Sequence, residues 1–107
     1  MSAEQNAGRF AAVWPRSPRV LKKKSLAPRI DTLDGKKIAF LWDYMFRGDE
    51  VFALLGEGLK RRFPQVEFVS WKEFGNTHSR EEREVLAALP RRLQELGIHA
   101  VISGMAC

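Results

Sequence analysis

Three short apolar runs separated by two amphipathic stretches set the pattern of this chain. Ile38-Ala39-Phe40-Leu41-Trp42 is continuously apolar, as expected for a strand covered on both faces. Val66-Glu67-Phe68-Val69-Ser70-Trp71 predicts a second strand and Ala100–Ser103 a third. Between the first two, Val51, Leu54, Leu55, Leu59 and Phe63 recur at helical spacing. Asp49 is placed as their N-cap, Lys60-Arg61-Arg62 suits the negative end of the helix dipole, and Pro64 closes the element. Between the second and third strands, Ser79-Arg80-Glu81-Glu82 has the form of a capping box. It opens a helix carrying Val85, Leu86, Leu89, Leu93 and Leu96, with Gly97 as its C-terminal cap. Pro90 inside that helix is expected to kink or split it.

The order β-α-β-α-β with short connections dictates parallel strands and right-handed crossovers. The expected fold is therefore α/β: a three-layer flavodoxin- or Rossmann-like sheet in the order 2-1-3, forming half of a larger domain. Strand 3 then has an uncovered apolar edge. A second copy, or a C-terminal half beyond Cys107, is expected to cover it.

Upstream of the first strand the pattern dissolves. Residues 1–28 have no sustained period and contain Pro15, Pro18 and Pro28, and they read as a basic, poorly ordered arm before an α/β half-domain at 29–107. Residues 1–30 hold seven Lys or Arg against Glu4 alone, whereas the remainder holds eleven basic and twelve acidic side chains. The whole excess of +5 thus lies in the arm. With neither aromatic interleaving nor an Arg/Gly repeat, the arm reads as solvated, and nucleic acid is not the expected partner. No apolar run reaches the roughly 18 residues of a membrane span. Phe10–Trp14 is too short for a signal peptide and is followed by Pro15, so the expected location is cytoplasmic.

Candidate chemistry follows from topology. In open parallel sheets ligands bind past the carboxyl ends of the strands, where the strand order reverses. Order 2-1-3 puts that point between strands 1 and 3, with Asp43 and Cys107 on its two lips as the candidate catalytic residues. Tyr44, Asn76, Thr77, His78 and Gly104 occupy loops at the same end and are candidate binding residues, the loop at 75–78 lying one strand away. Asp43 reads equally as a base or as the cap of its own turn. Cys107 is the only cysteine, which excludes an intrachain disulfide and a multi-cysteine zinc site in this chain. No metal site is expected. There is no GxGxxG after strand 1 and no Walker loop, and no cofactor is identified.

Leu26-Ala27-Pro28-Arg29-Ile30-Asp31-Thr32-Leu33-Asp34-Gly35-Lys36-Lys37-Ile38-Ala39 resembles the opening of proteins named for a UGSC motif, a family that includes selenoproteins. Val101-Ile102-Ser103-Gly104-Met105-Ala106-Cys107 is similar to the run-up to that motif, in which selenocysteine, cysteine or threonine precedes Gly-Ser-Cys. The resemblance covers Leu26 to Cys107. It implies a flavodoxin-like N-terminal half and a thiol- or selenol-based redox function on an unnamed small-molecule substrate. It also implies that the chain stops just before the motif and lacks turnover as it stands. A UGA codon for selenocysteine at position 108 would account for that end, with an in-frame Gly-Ser-Cys run beyond it. The competing expectation is a non-catalytic binding or assembly module that completes its sheet by oligomerisation.

Overall fold

The computed structural model describes residues 8, 10–17, 19 and 22–106. Three parallel strands form one sheet in the order β2-β1-β3, with β1 at Lys37–Trp42, β2 at Glu67–Val69 and β3 at Ala100–Gly104. Helix α1, Gly48–Arg62, connects β1 to β2, and helix α2, Glu82–Glu95, connects β2 to β3. This is the α/β half-domain that the pattern predicts. The described residues of the arm, up to Ile30, carry neither helix nor strand.

Strand β1 is central because both its faces are apolar, and its alternation sorts the core into two layers. Ala39 and Leu41 point to one face, where Phe74, Leu89, Leu93, Leu96 and Ile98 pack on them. Phe40 and Trp42 point to the other, against Phe52, Phe46, Phe68, Trp71 and Ile102. The first layer is mainly aliphatic and faces α2. The second is aromatic, with ring centroids 4.8 Å apart for Phe40–Phe52 and 5.2 Å for Phe40–Phe68.

Helix α1 is turned relative to expectation. Val51, Leu54 and Leu55 are exposed, and Phe52 is the side chain it buries. Its glycines explain the rotation, because they present a low surface to the rings. Gly48 lies against the Trp42 indole so closely that a side chain there would collide with the ring, and Gly56 faces Phe68. The indole Nε1 of Trp42, shut in beneath Gly48, has no hydrogen-bond partner.

The helix starts also differ. Arg47, not Asp49, is the N-cap of α1, and Asp49 lies in the first turn. The Ser79 hydroxyl accepts the Glu81 amide at 3.2 Å, a local turn that delays α2 until Glu82. Pro90 does not split α2, which runs unbroken to Glu95 and ends at Gly97 in the left-handed region, φ +68°. At the opposite end of the sheet from the candidate crevice, the Lys37 amide donates to His99 Nδ1 at 3.0 Å, while the His99 amide donates to Lys37 O at 2.8 Å. This double tie sets the register of β1 and β3. Gly35 takes φ +72° in the Asp34-Gly35 turn that feeds β1, and Asp34 Oδ1 accepts the Gln65 amide at 2.7 Å, joining that turn to the start of β2.

Candidate functional site

Asp43 follows β1 directly, and its buried carboxylate joins two loops. Oδ1 accepts the Met45 amide at 3.1 Å, two residues on, in the local turn that aspartate favours. Oδ2 accepts the Ala106 amide at 2.7 Å, from the segment that leaves β3. The main chain adds a third tie, since the Asp43 amide donates to Gly104 O at 3.3 Å. Both lips at the β1–β3 switch point are thereby held by one side chain.

The loop after β2 does not stay one strand away. After a 3₁₀ turn at Trp71–Glu73 it folds back along β1, where Asn76 forms a bridge with Trp42 and the Thr77 amide donates to Trp42 O at 3.2 Å. The reason is a mismatch in length. β2 ends at Val69, whose partner is Ala39, while β1 continues to Trp42. The surplus end of β1 has unpaired main-chain groups on its β2 side, and the returning loop takes up a carbonyl there. Gly75 at φ +84° makes the reversal, and Asn76 Oδ1 accepts the His78 amide at 2.8 Å.

Together the loops and α2 enclose a crevice of about 490 Å³. Leu41, Leu86 and Leu89 form its apolar wall, and Met45 and Met105 come from the two loops that Asp43 joins. Its polar groups are Asp43, Thr77, His78, Glu82 and Ser103, with His78 Nδ1 3.9 Å from Glu82 Oε2. A space of this size with a few convergent polar groups suits a small molecule.

Of the residues expected at the site, Asp43, Thr77 and His78 come together here. Asn76 shapes the loop. Tyr44 turns to the aromatic layer, where its ring lies 4.6 Å from Trp42 and 5.1 Å from Trp71 with its backbone at φ +62°. Gly104 is also on that side, beneath Phe46 and Phe52. Cys107 lies outside the described residues, but Ala106, the residue before it, lines the crevice. Glu82, Ser103 and the two methionines were not anticipated. Ser103 had a legible signal, since it shares the strand face of Val101 on the α2 side.

The family model that describes the UGSC family matches residues 11–107. The chain belongs to the UGSC family. The match begins inside the basic arm, so this UGSC-family unit includes most of that segment and not only the sheet. No curated protein and no solved structure matches the chain. Among its described residues, no helix is long and apolar enough to cross a membrane.

Proposed function

We propose that this UGSC-family chain supplies the substrate crevice of a thiol- or selenol-dependent redox protein, with Cys107 as a reacting thiol and Asp43 as a positioning residue. The observation that carries this reading is the Asp43–Ala106 hydrogen bond, which tethers the main chain immediately before Cys107 to the end of β1. Both Asp43 oxygens already accept amides, so the carboxylate acts as a strut and not as a base. Thr77, His78 and Ser103 remain to orient a small, partly apolar substrate between Met45 and Met105.

The chemistry is thiol–disulfide exchange. The Cys107 thiolate attacks one sulfur of a disulfide substrate, the old S–S bond breaks as the mixed disulfide forms, and the departing thiolate takes a proton from solvent. A selenol in the same role reacts in the same way through an Se–S bond.

Alkylation by iodoacetamide, followed across pH, tests the reading. Activated Cys107 reacts with a midpoint below about pH 8.5, the ordinary value of a free thiol. A wild-type midpoint at or above the ordinary value rejects the proposal.

A further inference from the structure

We infer that the basic arm anchors the chain to an anionic lipid surface, with Phe10, Val13 and Trp14 entering the interface and the cations of residues 16–29 lying among the headgroups. This inference is independent of the chemistry of the crevice.

The arm keeps its apolar side chains out of the core. Phe10 is 95% exposed, Val13 90% and Trp14 76%, and neither layer of the interior includes any of them. Residues 10–30 hold six Lys or Arg and no Asp or Glu. Among the described residues, none of those cations forms an ion pair with the α/β unit. Arg16 stacks instead on Trp14, its guanidinium carbon 5.2 Å from the ring centroid. Exposed apolar area and uncompensated positive charge thus occur together on one segment. The family match starts at residue 11, so Trp14 and all six cations belong to the matched unit.

The order of residues favours lipid over nucleic acid. A single-stranded chain is held by aromatic rings set among cations, so that bases stack while phosphates pair. Here the two kinds are segregated: the rings come first, and residues 15–30 contain no aromatic side chain. A membrane offers the same separation in depth. Its interfacial zone takes Phe and Trp, and its anionic headgroups attract Lys and Arg. Pro15, Pro18 and Pro28 preclude a continuous helix, so the cations are strung along extended chain. Residues 16–29 then reach up to about 45 Å, a span that meets many headgroups and suits no single pocket. The arm joins β1 at the end of the sheet opposite the crevice, which leaves the crevice end free.

The full chain should sediment with vesicles of equal parts phosphatidylcholine and phosphatidylserine, and not with vesicles of phosphatidylcholine alone. High salt should release it, because screening shortens the reach of the cations. Replacing Lys22, Lys23 and Lys24 together by Gln should weaken binding by about 100-fold, at roughly fivefold for each cation. Tryptophan emission should move to shorter wavelength on binding. Trp14→Phe should abolish that shift while the chain still binds, and circular dichroism verifies that each variant is folded. No sedimentation with the anionic vesicles overturns the inference, as does equal binding to phosphatidylcholine alone. So does undiminished binding by the triple Gln variant, or an emission shift that survives Trp14→Phe. A single-stranded oligonucleotide that strips the chain from the vesicles at equal salt would assign the arm to nucleic acid instead, and overturn it too.

Discussion

Asp43 and Ala106 are 63 positions apart in the chain, yet the carboxylate of the first accepts the amide of the second at 2.7 Å. Asparagine at position 43 can offer one carbonyl oxygen where the native side chain offers two. One of the two amides, from Met45 or from Ala106, would then face an NH₂ group. Asp43→Asn should lower stability by about 1–3 kcal/mol, the cost of stranding a buried polar group. It should also speed hydrogen exchange at the Ala106 amide, just past β3, more than at any amide of the strand itself. Unchanged protection at that amide would show that the tie does not hold the segment.

Gly104→Ala tests the packing over β3. Glycine within a strand ordinarily costs about 0.5–1 kcal/mol relative to alanine, so the substitution would normally stabilise. Here the added methyl would lie 2.7 Å from the Phe52 ring and 2.8 Å from that of Phe46. Both rings pack edge-on against Trp42, at 6.5 and 6.2 Å between centroids, and have little room to move aside. A loss of about 1–3 kcal/mol is expected, typical of overpacking. Urea denaturation gives the sign, and a more stable variant would refute the account.

Pro90 carries the opposite expectation. It is exposed within α2, provides no amide to the helix and leaves the carbonyl four residues earlier without its donor. Pro90→Ala restores that donor and loses no packing. A mid-helix proline costs about 3 kcal/mol. Proline's restraint on the unfolded chain returns about 0.4–1 kcal/mol. The variant should therefore be more stable by about 1–3 kcal/mol in urea denaturation, taking both effects together. A destabilised Pro90→Ala chain would mean that α2 needs the ring.

The sheet was legible because β1 has apolar residues on both faces, which only a central strand tolerates, and because short connections force its neighbours to be parallel. Helix boundaries were less so. Ser79 and Asp49 have the chemistry of caps, but Ser79 spends its hydroxyl on the Glu81 amide, and close contact between Gly48 and Trp42 starts α1 before Asp49. At the site, Asp43 followed from topology. The return of Thr77 and His78 to β1 did not, because it depends on β1 outrunning β2, a difference in strand length that local composition does not encode. The separation of Tyr44 and Gly104 from the crevice has a simpler origin. Gly104 shares the parity of Ile102 along β3 and so belongs to the α1 face, and Tyr44 reaches that face through its left-handed backbone.

The division of the interior into a ring-rich layer and an aliphatic one also governs what optical spectroscopy can see. Trp42, Trp71 and Tyr44 all stand on the α1 side, and the remaining tryptophan, Trp14, is in the exposed arm. Emission and near-ultraviolet ellipticity therefore monitor one half of the molecule. Loosening of α2 and of the leucines around the crevice would leave those signals almost unmoved, so a substrate settling there calls for a reporter such as methyl resonances of Leu86 and Leu89.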